Sequence, residues 1–210
     1  MRLLVENLQL IRNERRLFAG LNFALYNGDS LVLSGANGAG KSSLLRALPG
    51  LLPLSHGRIS FQLSSTAETP VEASLAENCH FLGMTDGLKP ALTAAENLMF
   101  WGRMLAAGSS AQTVAAKVAL ARLNLATLEH TPVAYLSAGQ RRRVALARLL
   151  IVERPVWLLD EPTNALDSAS QSLFRDVCMS HLDAGGMIIA ASHLDLGLPK
   201  ARTLSLDPTA

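Results

Sequence analysis

One short segment constrains this chain of 210 residues more than any other. The apolar run SLVLSG leads directly into GANGAGKS, which matches G-x-x-x-x-G-K-[ST]. A glycine-rich loop between a strand and a helix lets main-chain N–H groups wrap phosphate oxygens, while the lysine reaches the β- and γ-phosphates and the serine hydroxyl ligates Mg²⁺. The segment therefore predicts a nucleoside triphosphate site that uses Mg²⁺. The candidate phosphate-binding residues are Gly35, Ala36, Asn37, Gly38, Ala39, Gly40, Lys41, Ser42 and Ser43.

A second motif places acidic residues at the end of an apolar run. In VWLLDE, the apolar positions 156–159 precede Asp160 and Glu161. Two adjacent acids after a strand are often only a solvated turn, but in a chain with the glycine-rich loop they favour a catalytic pair. We expect Asp160, with Ser42, to hold Mg²⁺, and Glu161 to lie beside the γ-phosphate, where its carboxylate polarises or deprotonates the attacking water.

The composition narrows the class of protein. Hydrophobic residues make up 49% of the chain and charged residues 17%, which is typical of a globular protein rather than a disordered one. The net charge of +2 does not favour a general nucleic-acid binder. No stretch approaches about 18 consecutive apolar residues, and no signal peptide is evident, so we expect a soluble chain in the cytoplasm.

The pattern of apolar residues alternates between strand and helix. Strands are predicted on both sides of a turn at Asn27-Gly28-Asp29, and again in GRISFQL, CHFLGM, VWLLD, GMIIAAS and TLSL. Helical patterns follow Lys41, cover about 93–125 behind a capping-box pattern at Thr93 and Glu96, resume near Ala138, and return in SASQSLFRDVCMSHL. This alternation predicts an α/β fold with a mostly parallel sheet and a helical lobe.

Two features outside these motifs also carry expectations. The cysteines Cys79 and Cys178 have no metal-ligand spacing, and we expect both to be reduced, partly buried thiols. The polar segment 62–77 is predicted to form a surface loop or a loose hairpin.

The segments GANGAGKS, LSAGQ, LLDEPTNALD and SH occur in this order, and together they resemble the ATP-binding domain of the ABC ATPase family over essentially the whole chain. The resemblance implies a P-loop NTPase of the ABC type. It implies one domain over residues 1–210, with a RecA-like core, an antiparallel β subdomain and a helical lobe inserted at approximately 85–153. It also implies ATP and Mg²⁺ as cofactors, with Lys41, Glu161 and His193 as catalytic residues; His193 would contact the γ-phosphate and orient water.

The pentapeptide LSAGQ resembles the signature sequence of that family, in which two ATPase domains pack head to tail. The resemblance implies that the signature helix of one copy caps the γ-phosphate bound by the other copy. Ser137 also suits a helix cap, and a helix N-terminus favours added negative charge. Asp167, in NALD, resembles the D-loop acid that crosses the dimer interface. The signature residues are Leu136, Ser137, Ala138, Gly139 and Gln140.

Two positions depart from the family pattern. Where the family carries a glutamine that contacts Mg²⁺ and senses the membrane partner, this chain has Met84 followed by Thr85, and neither side chain can do that work as glutamine does. Where the family often stacks adenine on an aromatic ring, this chain has LIRNERRLF. Arg12 could stack through its guanidinium plane, and Phe18 or no stacking residue are the alternatives.

Three consecutive arginines, Arg141, Arg142 and Arg143, follow the signature. Such a run is compatible with nucleic-acid contact, but on an early helical turn we expect these side chains to face solvent or nearby acidic groups. Because the net charge is small and no coiled-coil insertion is evident, no nucleic-acid partner is predicted.

Further segments resemble one subfamily, the ATP-binding subunits of cytochrome c maturation (haem-export) transporters. These segments are ERRLFAGLNFAL, SGANGAGKSSLLRAL, GLKPALTAAENLMFW, LSAGQRRRVALARL and WLLDEPTNALD. The resemblance implies a peripheral subunit on the cytoplasmic side of the inner membrane, with membrane-spanning subunits and a second copy of itself as partners. ATP hydrolysis would then drive haem export or release of a haem-loaded chaperone, which this subunit meets only indirectly. The alternatives are the ATPase of another ABC transporter and a non-transport ABC ATPase.

Overall fold

A computed structural model describes residues 1–63, 72–105, 111–198 and 200–206, and it describes the side chains of these residues except at 111–114. The strands in chain order are β1 (Arg2–Arg12), β2 (Arg15–Tyr26), β3 (Ser30–Ser34), β4 (His56–Gln62), β5 (Cys79–Leu82), β6 (Val156–Asp160), β7 (Met187–Ala191) and β8 (Arg202–Ser205). The α-helices are α1 (Lys41–Ala47), α2 (Ala94–Leu105), α3 (Ala111–Arg122), α4 (Ala138–Ala147) and α5 (Ser168–Asp183). Short 3₁₀ turns lie at Ala126–Leu128, Val133–Tyr135 and Arg148–Leu150.

A parallel sheet forms the centre of the molecule, with the strand order β5-β6-β7-β3-β8. Every residue of β6 and β7 is buried, which explains why both strands read as continuous apolar runs. Alternate side chains enter two different cores: Val156 and Leu158 pack on one face, while Trp157 and Leu159 pack on the other. Because the strands are parallel, their carboxyl ends meet at one edge, where the candidate site lies.

A second, antiparallel sheet has the order β2-β1-β4. Its inward-facing residues, including Leu3, Leu25 and Phe61, share a core with Leu33 of β3 and Leu44 of α1. The antiparallel sheet therefore packs beside the glycine-rich loop. The predicted fold class, with a mostly parallel sheet, an antiparallel β subdomain and helices, is confirmed.

Helices α2, α3 and α4 lie between β5 and β6 in the chain, within the region predicted to form the helical lobe. The predicted capping box opens α2: the Thr93 N–H donates to Glu96 Oε2 at 2.8 Å, and the Glu96 N–H donates to Thr93 Oγ1 at 3.2 Å. Hydrogen bonds to the carboxylate from the main chain and then the side chain of Thr93 lower the pKa of Glu96. The boundaries of the lobe and the single-domain assignment stay predictions.

Other sequence-based expectations have simple outcomes. Cys79 and Cys178 are free thiols, and both are fully rather than partly buried. Within the polar segment 62–77, residues 64–71 lie outside the described residues, and Gln62 and Glu72 on either side of this gap form an antiparallel bridge. Among the helices that the structure describes, none is both long and apolar enough to cross a membrane.

Candidate active site

The glycine-rich loop turns the chain sharply from β3 into α1. At Gly35 the φ angle is 133°, and an added Cβ atom would lie 2.4 Å from the main-chain oxygen of Leu206, so no side chain fits there. At Gly40 the φ angle is 105°, and a Cβ atom would press against the ring of Phe18 at 3.2 Å. Both positions need glycine because the turn is left-handed and closely packed.

The loop encloses the side chain of Lys41, which is only 8% exposed. Its Nζ atom donates to the main-chain oxygens of Gly35 and Ala36 at 2.6 and 3.1 Å. The ammonium therefore lies inside the loop that the sequence assigns to phosphate. A charge held in this way is already oriented for an anion and loses little conformational freedom on binding one.

The end of β6 meets the start of α1 through one side-chain hydrogen bond. The Ser42 hydroxyl donates to Asp160 Oδ1 at 3.0 Å. Asp160 is 1% exposed, and its Oδ2 atom is buried without a hydrogen-bond partner in the part of the chain that the structure describes. A buried, unpartnered carboxylate oxygen next to a hydroxyl fits Mg²⁺, which prefers oxygen ligands and is usually held by one or two carboxylates together with substrate phosphates. The described residues contain no cluster of three or more His, Cys, Asp and Glu side chains that could hold a metal without such help.

Glu161 follows Asp160 in an unusual backbone conformation, with a φ angle of 47°. Its N–H donates to the main-chain oxygen of Ala191 at 2.8 Å, which ties the residue to the end of β7. The carboxylate lies 3.5 Å from Nε2 of His193 and 3.4 Å from the His193 N–H. His193 Nε2 is also 3.1 Å from Oδ1 of Asn37 in the glycine-rich loop. Three segments distant in sequence thus meet here, with the His193 imidazole between Glu161 and Asn37.

These groups line one open cavity of about 950 Å³, which is large enough for a nucleotide. Arg12, the last residue of β1, and Met84, in the loop after β5, both line it. Phe18 is 3% exposed and packs behind Gly40, so this alternative to Arg12 has no ring face open to a base. The lining residues are Arg12, Asn13, Arg15, Leu17, Asn37, Gly38, Gly40, Lys41, Ser42, Ser43, Met84, Asp160, Glu161, Thr163, Asn164, His193 and Leu194.

The signature residues 136–140 are absent from this lining and form a separate feature at the start of α4. Ser137 is the N-cap: its Oγ atom accepts from the Gln140 N–H at 3.2 Å, and Gln140 Oε1 accepts from the Ser137 N–H at 2.8 Å. Ser137 and Ala138 are exposed, Gly139 and Gln140 are half-buried, and Leu136 is buried. The expected helix cap is confirmed, and within one copy the signature and the cavity are distinct.

Asp167 has a local role that the sequence reading missed. It is the N-cap of α5, where its Oδ1 atom accepts from the Ser170 N–H at 2.8 Å. Hydrogen bonds from Ser170 lower the pKa of its carboxyl group. An acidic residue directly before a helical pattern is itself a capping signal and would have revealed this role. The side chain is exposed, so the predicted interface role and the cap are compatible.

The expectation for the three arginines is met only in part, because Arg142 contacts an acidic group while Arg141 and Arg143 are half-buried and contact main-chain oxygens. Arg141 donates to the main-chain oxygen of Leu136 at 2.6 Å, and Arg143 donates to that of Leu123 at 3.2 Å. Arg142 is 3% exposed and forms the one expected kind of contact, an ion pair of 3.1 Å with Asp86. The burial of Arg142 could not be predicted from the sequence, because it depends on which face of α4 packs against the sheet.

Comparison with protein families identifies the family of this chain. The family model described as ABC transporter matches residues 18–164. The chain belongs to the ABC transporter ATPase family. Among curated ABC relatives, a protein of Nitrobacter winogradskyi is 47% identical over 210 residues, covering 100% of both chains. A protein of Nitrobacter hamburgensis is 48% identical over 209 residues and again covers 100% of both chains. Both are named cytochrome c biogenesis ATP-binding export protein CcmA, so the recognised subfamily is confirmed.

Solved ABC structures share the fold. One described as the ATP-binding subunit of an ABC transporter superimposes with a TM-score of 0.83 at 20% identity, covering 100% of this chain and 89% of its own. A second, an inward-facing metal-chelate type ABC transporter, gives a TM-score of 0.79 at 29% identity, covering 98% of this chain and 80% of its own. Membership of the family establishes an ATPase domain that binds nucleotide. The roles of single residues stay predictions.

Proposed function

We propose that this ABC ATPase is the ATP-hydrolysing subunit of a cytochrome c biogenesis export complex. The observation that carries the proposal is the 47% identity to a CcmA protein over the whole length of both chains. The similarity spans 100% of both chains, so the aligned region includes the segment GLKPALTAAENLMFW as well as the phosphate loop. The finer part of the proposal is that the complex is a translocase that exports haem or releases a haem-loaded chaperone.

ATP binds with its phosphates in the glycine-rich loop and its base toward Arg12. The Lys41 ammonium exchanges the main-chain oxygens of Gly35 and Ala36 for the β- and γ-phosphate oxygens. Its burial supports this role, since a charge in a closed loop interacts strongly with an arriving anion. Adenine stacks on the guanidinium of Arg12, which lines the cavity.

Ser42 and Asp160 would hold Mg²⁺, because their oxygens are the ligands that this ion prefers. When bound, the metal neutralises charge on the β- and γ-phosphates. The chain's own contribution is to orient the ligands: the hydrogen bond from Ser42 fixes one Asp160 oxygen and leaves the other buried without a partner among the described residues.

Glu161 is the general base for the attacking water. Its side chain is 19% exposed, so the carboxylate can be reached by a water in the cavity while its contact with bulk solvent is limited. His193 binds the γ-phosphate and keeps Glu161 in place through the contact of 3.5 Å, while Asn37 orients the imidazole. The base accepts a proton from water as the oxygen attacks phosphorus, and the leaving group is ADP.

A second copy completes the site. The exposed Ser137 and the N-terminus of α4 face the γ-phosphate held by the partner, with Asp167 at the interface. Two observations support this arrangement: the signature is preformed by its capping box, and it is absent from the cavity lining of its own chain. In this proposal residues 1–210 form one domain. The helical lobe at approximately 85–153 is part of that domain and carries the signature.

The membrane-spanning subunits dock near the segment after β5. A groove of about 440 Å³ lies there, lined in part by Thr85, Gly87 and Trp101. Docking in this groove would hold the subunit on the cytoplasmic face of the inner membrane without a span of its own. Any haem-handling chaperone would be reached through the membrane subunits, and no nucleic acid takes part.

The experiment that tests this function is affinity capture from membranes with the variant Glu161→Gln in the presence of ATP and Mg²⁺, followed by mass spectrometry. Recovery of multi-spanning membrane proteins together with a haem-binding chaperone is the expected result. Recovery of an unrelated permease would retain the ATPase and reject the role in cytochrome c biogenesis. Recovery of ribosomes or DNA-repair proteins without any membrane protein would reject the transporter role.

A further inference from the structure

Arg142 forms an unusually complete set of hydrogen bonds beneath the candidate site. Its Nε atom donates to the Pro162 main-chain oxygen at 3.0 Å, and its Nη2 atom donates to those of Asp160 and Glu161 at 3.2 and 2.7 Å. Its Nη1 atom donates to the main-chain oxygen of Gly83 and to Asp86 Oδ1, both at 3.1 Å. A guanidinium has five N–H donors in a fixed plane, so each donor has a partner.

Three of these partners are consecutive main-chain oxygens of the segment that carries Glu161. The φ angle of 47° at Glu161 is sparsely populated for a residue with a side chain, and such a conformation persists only where the surroundings hold it. Arg142 holds the oxygens at positions 160, 161 and 162, while Ala191 holds the Glu161 N–H. The direction of the Glu161 carboxylate therefore depends on a side chain from α4.

The remaining two partners belong to the loop that follows β5. Asp86 is half-buried, and its ion pair with Arg142 is the charged anchor of the guanidinium. Arg148 also holds this loop: it donates to the Asp86 main-chain oxygen at 2.9 Å, and its guanidinium carbon lies 3.7 Å from the centre of the Trp101 ring. The guanidinium of Arg142 is thus held by acceptors from two segments, the loop after β5 and the segment that carries Glu161.

Met84 lies within this loop and lines the cavity, but its thioether cannot link the loop to the catalytic segment by a strong hydrogen bond. Arg142 makes that link instead, because one guanidinium contacts both segments. From this geometry we propose that Arg142 is a positioning residue for ATP hydrolysis: it fixes the Glu161 carboxylate toward the attacking water and is itself anchored by Asp86. This inference rests on the proposed role of Glu161 as the base.

Lysine at position 142 keeps the charge and most of the length, but its ammonium has three donors and cannot span five acceptors in one plane. We expect Arg142→Lys to lower kcat about 10-fold or more, as expected when a base is misdirected rather than removed. KM for ATP and the affinity for nucleotide should change less than twofold, because no phosphate contact is altered. Asp86→Asn, which weakens only the anchor, should lower kcat in the same direction and by less.

The matched control is Arg143→Lys, the next residue on the same helix, which donates to main-chain oxygens of Leu123 and Asn124 instead. Its kcat should stay near that of the unmodified chain. Thermal unfolding of all variants shows whether a loss of kcat results from lower stability of the fold rather than from a displaced Glu161 carboxylate.

A double-mutant cycle with Glu161→Gln decides between positioning and a general structural role. If Arg142 acts through the Glu161 carboxylate, Arg142→Lys causes little further loss of single-turnover rate once Glu161 is glutamine. If Arg142→Lys still lowers the single-turnover rate by its full factor in the Glu161→Gln background, this inference is overturned. It is also overturned if Arg142→Lys and Asp86→Asn both have a normal kcat while Glu161→Gln is slow. Neither result affects the role of Glu161 as the base. A normal rate for Glu161→Gln by itself overturns the role of the base, and this inference with it.

Discussion

The Ser42 hydroxyl donates to Asp160 Oδ1 at 3.0 Å, although the two residues lie 118 positions apart in the chain. The contact joins the phosphate loop to the end of β6. It also leaves the second Asp160 oxygen buried without a partner among the described residues. Burying an ionised carboxylate in this way raises the free energy of the folded chain unless a bound cation compensates the charge.

Metal dependence follows from that contact. We expect Ser42→Ala to raise the Mg²⁺ concentration needed for half-maximal ATPase activity by about 10-fold, since one oxygen ligand and the orientation of Asp160 are both lost. The measurement is ATPase rate against free Mg²⁺. Ser172→Ala, an exposed position on α5, is the control. Equal Mg²⁺ curves for the two variants would remove Ser42 from the metal site.

Nucleotide binding depends on Lys41. Lys41→Ala should weaken ATP binding by at least ~10-fold, because a charge-assisted hydrogen bond to phosphate is lost. Isothermal titration with ATP and Mg²⁺ measures this change. Lys117→Ala, an exposed lysine on α3, provides the matched loss of charge and should bind as the unmodified chain does. Retained affinity in Lys41→Ala would contradict the proposed phosphate contact.

Hydrolysis depends on Glu161. Glu161→Gln keeps size and polarity but cannot accept a proton, so kcat should fall by about 100-fold or more while ATP affinity is retained. Glu153→Gln, an exposed glutamate before β6, is the control for the same chemical change. A Glu161→Gln chain that hydrolyses ATP at the normal rate would require a different base.

The signature can be tested apart from helix stability. Ser137→Asp keeps an acceptor at the helix cap, but it places a negative charge opposite the partner's γ-phosphate. Nucleotide binding by the monomer should be unchanged, while ATP-dependent dimerisation of a Glu161→Gln chain, followed by light scattering, should be lost. Ser137→Arg should block dimerisation as well, through bulk. Loss of monomer binding in both variants would mean that the signature acts within its own chain.

Two buried histidines predict a pH dependence of stability. Burial lowers the pKa of both His80 and His181 from 6.5 to about 4, so between these pH values the unfolded chain binds more protons than the folded chain. Stability therefore falls as pH decreases through that window, and His80 accounts for roughly 3 kcal/mol at most. His80→Gln should flatten the fall of Tm with decreasing pH, whereas His56→Gln, on an exposed histidine, should not. Parallel Tm curves for His80→Gln and the unmodified chain would refute the assignment.

Much of the fold was predictable because the deciding interactions are local. The glycine positions of the phosphate loop, the capping boxes at Thr93 and Ser137, and the apolar runs of β6 and β7 depend on residues a few positions apart. Such patterns are visible in the sequence because turns, helix caps and buried strands each demand particular residue types at short spacings.

Many of the residues that line the candidate cavity could be named from the sequence, but Asn13, Arg15 and Leu17 could not, and neither could the contacts between segments. The surroundings of Arg142 could not be read from three consecutive arginines, since its partners lie 18 to 59 positions away. Asp167 shows the opposite case, because its local cap was visible in the sequence and was overlooked.

The sequence by itself determined which residues can bind phosphate, hold Mg²⁺ and accept a proton, since these abilities belong to the side chains and their nearest neighbours. Only the tertiary structure decided that Ser42 meets Asp160, that His193 meets Glu161, and that Arg142 is buried beneath them. The physical reason is that strand order and helix packing set distances between segments far apart in the chain. Those distances determine which charges are removed from water and must find partners within the protein.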